Sequence, residues 1–124
     1  MLGHYEVDAQ TFASWEVDYL KIDGCYLDPQ EFGQGYPEFG RYLNQTGRPI
    51  VYSCEWPLYQ ENSGMEPDFA AIAATCNLWR NWWDIDDHWN SLMPIVDHFA
   101  ERQDVYAQWA GPGHWNDPDM VCLI

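Results

Sequence analysis

Asp23 in "DYLKIDG" and Asp84 in "WRNWWDIDD" are carboxylates with contrasting neighbours. Lys21 stands two positions before Asp23, and a nearby ammonium favours an ionised carboxylate able to act as a nucleophile. Trp82 and Trp83 immediately precede Asp84, and apolar rings favour a carboxyl that keeps its proton, although Arg80 opposes that. An ionised and a protonated carboxyl facing each other supply a nucleophile and a general acid, the pair that cleaves glycosidic bonds. An ion-paired structural network is the competing reading of the same residues.

Such a pair needs two strands to hold it. Strands are predicted at 18–24 and 48–56, with weaker candidates at 76–86 and 104–113, their starts about 28 to 30 residues apart. Alternation puts Tyr19, Lys21 and Asp23 on one face of the first strand and Leu20 and Ile22 on the other. The same rule puts Arg80, Trp82, Asp84 and Asp86 on one face of the third. Helical patterns fill the intervals. "VDAQTFASW" spaces Phe12 and Trp15 three apart. Asp28, Pro29 and Glu31 form a helix start, which Gly33, Gly35 and Pro37 are expected to interrupt before the helix resumes toward Gly47. "EPDFAAIAATC" aligns Phe69, Ile72, Ala73 and Cys76, and "HWNSLMPIVDHFA" aligns Trp89, Met93, Val96 and Phe99, with a kink expected at Pro94. Strand and helix alternating at this pitch predict α/β architecture with a parallel sheet. In a βα barrel, polar residues at strand C-termini line the active-site mouth, where Asp23 falls.

The chain has 124 residues, enough for one domain, and 47% of them are hydrophobic, which argues against disorder. Eight Trp and eight Tyr suit a large aromatic core or a site that stacks flat ligands or sugar faces. A net charge of −15 argues against nucleic-acid partners, which need basic patches, and favours acidic working conditions. No apolar run is long enough to span a membrane. Cys25, Cys54, Cys76 and Cys122 fit no zinc spacing, and His4, His88, His98 and His114 share no ligand spacing, so no metal or other cofactor is expected. The Asn44-Gln45-Thr46 sequon and the cysteines together suit a secretory compartment, yet "MLGHYEVDAQ" lacks the regions of a signal peptide. A piece of a longer secretory protein is therefore expected.

Four blocks, "DAQTFASWEVDYLKIDGCY", "NQTGRPIVYSCEWPLY", "CNLWRNWWDIDDHW" and "AGPGHWNDPDM", resemble consecutive blocks of glycoside hydrolase family 27, from about Tyr5 to Met120. That family holds retaining α-galactosidases and α-N-acetylgalactosaminidases. The resemblance implies a partial (β/α)8 barrel over residues 1–124, about four central βα units with parallel strands. It makes Asp23 the nucleophile and Asp84 the proton donor, and Lys21, Glu55, Leu58, Tyr59, Arg80, Asp119 and Met120 substrate-binding. It implies a Cys54–Cys76 disulfide and glycosylation at Asn44. In "CEWPLY", Glu55 and Leu58 match the galactosidase type, whereas N-acetylgalactosaminidases have Ser and Ala there to admit the acetamido group. The implied substrate is a terminal α-galactoside, and the implied whole protein is homodimeric and lysosomal or secreted.

The family's earlier strands, its last barrel strand and its C-terminal β-sandwich have no counterpart in these blocks. Cys25 matches a cysteine whose family partner lies upstream, and "MVCLI" departs from the family's continuation. A half barrel is expected to be inactive alone, and a non-catalytic truncated form and a galactose-binding lectin remain alternatives. Asp86 and Asp87 are read as structural acids after the strand. Trp56 and Trp82 are expected near the pocket, and Asn116-Asp117-Pro118 as a turn that aims Asp119, with Asp117 itself structural.

Overall fold

The computed structural model describes residues 2–120. Cys122 and the rest of the "VCLI" ending lie outside them. Four short strands, β1 Tyr19–Ile22, β2 Val51–Cys54, β3 Leu78–Arg80 and β4 Trp115–Asp117, form one sheet in the order β1-β2-β3-β4. Every pairing is parallel, with Lys21 beside Ser53, Ser53 beside Leu78, and Arg80 beside Asp117. Between them run α1 Tyr5–Ser14 before β1, α2 Phe32–Gln45, the pair α3 Trp56–Asn62 and α4 Phe69–Thr75, and the pair α5 Trp89–Glu101 and α6 Gln103–Trp109. A parallel sheet whose order never reverses sends each crossover the same way, so its helices collect on one face. That is the winding of a barrel rather than of a doubly wound sheet.

The core obeys this winding. Leu20, Ile22, Tyr52, Cys54 and Trp79 from the strands pack with Phe32, Tyr36, Phe39, Leu43, Phe69, Ile72 and Tyr106 from the helices. Tyr36 stacks on Trp56 with ring centroids 5.6 Å apart, and Phe32 meets Tyr36 edge-on at 5.2 Å. Aromatic packing of this kind takes up Trp56, Trp79, Tyr36, Tyr52 and Tyr106, whereas Trp15, Trp83, Trp89 and Trp115 are exposed. Trp56, expected near a pocket, is buried here, with its indole N–H donated to Gln60 Oε1 at 2.8 Å. The opposite, helix-free face has an apolar lower tier, where Tyr19, Val51 and Trp115 are exposed. Its upper tier is charged, and there the catalytic candidates gather. Among the described residues no helix is long and apolar enough to cross a membrane.

Several elements differ from the sequence prediction. The segment 104–113 is not a strand: 103–109 is helix α6, whose Val105, Tyr106 and Trp109 suit a helical stripe, and Tyr106 is buried edge-on against Phe69. The fourth strand is 115–117 instead, where Asn116 accepts the Trp79 indole N–H at 2.7 Å and donates to the Tyr106 carbonyl at 2.9 Å. Helix α2 also runs unbroken through Gly33, Gly35 and Pro37. Its buried stripe of Phe32, Tyr36, Phe39 and Leu43 outweighs their weak helix propensity. Before it, Pro29–Glu31 is a short 3-10 turn capped by Asp28 Oδ1, which accepts from Gln30 N at 2.9 Å. The third strand stops at Arg80, so Trp82, Asp84 and Asp86 lie in the following loop and do not share a strand face. Helix α5 buries Ile95 and leaves Trp89 and Val96 exposed, a rotation from the predicted stripe.

Candidate active site

Asp23 follows β1 directly. Its Oδ1 accepts three hydrogen bonds: from Tyr59 Oη at 2.7 Å, from Cys25 Sγ at 2.9 Å and from Cys25 N at 3.1 Å. Partial burial pushes this carboxyl upward, but the bonds from Cys25 and Tyr59 outweigh it and hold Asp23 below the usual aspartate range. Donating to Asp23 in turn drives the Tyr59 phenol well above its ordinary value. The ring can reach because residue 24 is glycine. A Cβ there would lie 2.6 Å from Tyr59 Cδ2 and 2.8 Å from Phe32 Cζ. Cys25 is the free cysteine among the described residues, and it is exposed.

Lys21 does not serve Asp23 as the sequence suggested. It pairs instead with Glu55 Oε1 at 2.5 Å. Glu55 follows β2 and also lies 3.3 Å from Arg80 Nη1 at the end of β3. Burial, opposed by Lys21, leaves the Glu55 carboxyl above its usual value, with the negative charge of Asp23 adding to the rise. Arg80, 1% exposed, spreads its guanidinium over three carboxylates: Glu55, Asp84 Oδ1 at 2.9 Å and Asp119 Oδ1 at 2.6 Å. Asp119 holds the next loop as well, since its Oδ2 accepts from Ile85 N at 2.7 Å. Its own backbone N–H goes to Asp117 Oδ1 at 3.0 Å. Asp117 is raised by burial, against which the bond from Asp119 and the charge of Arg80 work.

The structure therefore joins Lys21, Glu55, Arg80, Asp84 and Asp119 in one ion-pair network, with Asp23 and Tyr59 beside it. Leu58 is buried in the first turn of α3, and Tyr59 follows it. Met120 is half exposed, and its N–H is donated to Asp119 Oδ1 at 2.6 Å. Asn44 is exposed near the end of α2, away from these groups. Cys54 and Cys76 are joined by a disulfide, which ties the end of β2 to the residue after α4.

Asp84 departs from its expected surroundings. Its side chain is 92% exposed, and no indole encloses it. Trp79 turns to the helix face of the sheet, Trp82 stacks on His98, and Trp83 is 56% exposed. The cause is the early end of β3: past Arg80 the chain no longer alternates, so neighbouring residues do not share a wall. The cap of α5 is His88, whose Nδ1 accepts from Ser91 N at 3.0 Å. Asp86, read as a structural acid, accepts from Asp87 N at 3.1 Å and gives its own N–H to Ser91 Oγ at 2.7 Å. The linking roles of Gly24 and His88 were missed from sequence. Gly24 was visible as a strand end, and His88 stood at the start of a helical pattern.

Comparison with known proteins shows the family and the fold. A sequence model described as alpha galactosidase A matches residues 1–124. The chain is 55% identical over 122 residues to an alpha-N-acetylgalactosaminidase of Gallus gallus and 51% identical over 122 residues to alpha-galactosidase A of Homo sapiens. Each match covers 98% of this chain, and the chain spans 30% and 28% of those relatives. Among solved structures, alpha-galactosidase I from Mortierella vinacea superposes with a TM-score of 0.77 at 29% identity, over 96% of this chain and 34% of that one. An α-galactosidase from Saccharomyces cerevisiae gives 0.76 at 30% identity, over 95% of this chain and 30% of that one. A four-stranded parallel α/β sheet of this winding, matched over 95–96% of the chain, corresponds to a segment of their barrel. The chain belongs to the alpha galactosidase A family, glycoside hydrolase family 27.

Proposed function

We propose that the whole protein is a retaining exo-glycosidase that removes terminal α-D-galactosyl residues from glycolipids, glycoproteins or oligosaccharides. The observation that carries this reading is Asp23: a carboxylate at a strand's C-terminal end, held ionised by three donors, beside a charged cluster. Asp23 attacks the anomeric carbon as the glycosidic C–O bond breaks, and Asp84 gives its proton to the departing oxygen. A water then gives a proton to Asp84 and its oxygen to the anomeric carbon, which frees Asp23 and retains the anomer. Lys21, Arg80, Asp119, Tyr59 and Met120 surround the sugar. Retention calls for the two carboxyl groups at about 5 Å in the complete barrel.

The N-acetylgalactosaminidase reading draws on the 55% identical relative. Against it stand Glu55 and Leu58, which are both buried and would fill the space a 2-acetamido group needs. The whole protein is further proposed to be a homodimer of the lysosome or the extracellular space, glycosylated at Asn44. The 124-residue chain, with four parallel strands, is proposed to be about half of such a barrel and inactive alone.

The test compares hydrolysis of chromogenic α-galactoside and α-N-acetylgalactosaminide by the whole protein and by the purified 124-residue chain. Faster turnover of the galactoside by the whole protein, with none by the chain, is expected. Preference for the acetamido sugar would transfer the reading to the alternative. Turnover by the isolated chain would overturn its proposed inactivity.

A further inference from the structure

Trp82 lies between Arg80 and Asp84, and its ring is stacked on the imidazole of His98 in α5. The ring centroids are 3.8 Å apart and the planes 20° from parallel. Behind this stack the imidazole is fixed by α6, because His98 Nε2 lies 2.7 Å from Tyr106 Oη. Tyr106 is itself buried, edge-on against Phe69 at 5.7 Å and Phe99 at 5.3 Å. In front of the stack the loop is fixed by Arg80, whose Nη2 donates to the Trp82 carbonyl at 3.0 Å and to Asp84 Oδ1 at 2.9 Å. The Asp84 side chain is otherwise solvent-exposed, so its place depends on how this short loop is held: by the stack and Arg80 before it, and after it by Asp119 and Ser91, which accept from Ile85 N and Asp86 N at 2.7 Å each.

We propose that His98 is a positioning residue for Asp84, acting through the flat face it offers to Trp82. The proposal rests on the reading of Asp84 as acid/base. His98 touches neither Asp84 nor the sugar-binding groups; its effect runs through the one ring that separates Arg80 from the Trp83–Asp84 turn.

The charged surroundings of His98 come from three elements. Arg102 lies between α5 and α6, Glu101 lies in α5, and Glu61 of α3 accepts from Arg102 Nη2 at 2.7 Å. Tyr106 faces His98 from α6. Burial first, and then the charge of Arg102, outweigh Glu101 and lower the pKa of the imidazole from its usual value. The stack therefore stays uncharged at a mild acidity that would protonate an exposed histidine, and protonation at lower pH sets a second cation beside Arg102.

The experiment uses the whole protein and two α-galactosides, one with an activated phenol as leaving group and one with a sugar. Departure of the phenol needs little acid catalysis, whereas departure of the sugar needs Asp84 to protonate it. H98L keeps the volume and removes the stacking plane, H98F restores the plane, and D84N removes the acid. H98L is expected to lower kcat about tenfold or more on the sugar leaving group, with the aryl substrate changed less than about twofold. H98F is expected to recover most of that loss and to remove the pH dependence that His98 contributes. Should H98L not fold, W82L reads the same stack from the other side. Equal losses on both substrates, or no loss in either variant, would overturn the inference. A D84N variant showing no leaving-group dependence would instead overturn the reading of Asp84, and this inference with it.

Discussion

Tyr59, in α3, gives its phenolic hydrogen to Asp23 Oδ1 across 2.7 Å, joining the second βα unit to the carboxylate that ends the first strand. This bond and those from Cys25 hold the Asp23 pKa down. The sign follows from linkage. A carboxylate whose folded pKa is depressed adds stability above its unfolded pKa, about 3.9, and loses it as pH falls through the lower folded value. Tyr59→Phe in the whole protein is expected to move the acid limb of kcat/KM upward, because Asp23 loses a donor that favours its ionised form. It should cost about 1 kcal/mol of stability. The pH–rate profile and a denaturant melt check both, and an unmoved acid limb would count against Asp23 as the nucleophile.

Gly24→Ala tests the same bond through the backbone. The new methyl would meet the Tyr59 ring at 2.6 Å, so the ring must withdraw from Asp23. The variant is expected to raise the acid limb at least as far as Tyr59→Phe does. Combining the two substitutions should add little, because both remove one interaction.

Glu55 and Leu58 are expected to set the sugar preference together. Glu55→Ser with Leu58→Ala should raise the ratio of acetamido-sugar to galactose kcat/KM by about tenfold or more. Glu55→Ser also leaves Lys21 and Arg80 without their shared carboxylate. With Asp84 and Asp119 still on Arg80, the expected loss is about 2 kcal/mol, below that of a fully orphaned buried charge. Paired kinetics on the two sugars and a melting curve read these separately.

Reduction of Cys54–Cys76 is expected to lower the stability of the whole protein by about 3 kcal/mol, from the entropy of the loop it closes. Glu55 adjoins Cys54, so the reduced protein should also lose sugar affinity before it loses fold. Melts and KM values with and without reductant measure the two effects.

The first two strands were legible in the sequence because alternation around Lys21 and Asp23 survives in the sheet, with Leu20 and Ile22 facing the helices. The fourth was not. Its three residues include Asn116 and Asp117, whose side chains bond to Trp79, Tyr106 and Asp119, contacts that no local pattern announces. Helix α6 was mistaken for it because seven residues carry only two helical turns. Among the site residues, the identities of Asp23, Glu55 and Arg80 were visible, but their partners were not. Lys21 was assigned to Asp23 by nearness in sequence, whereas the register sets it beside Ser53 and its side chain reaches Glu55, just past the end of the next strand. The indoles around Asp84 misled for the same reason: nearness along the chain became nearness in space only up to Arg80.

Among the described residues, the unreversed order β1-β2-β3-β4 leaves both outer strands with unpaired backbone edges of opposite hand. Completing the barrel therefore means closing two different seams at once, as a run of staves closes a cask. A complement that joined β1 alone would leave β4 free to recruit another chain, and growth would continue as a ribbon. Only a piece matched to both edges ends the process, and the same closure would cover Tyr19, Val51 and Trp115 on the inner wall.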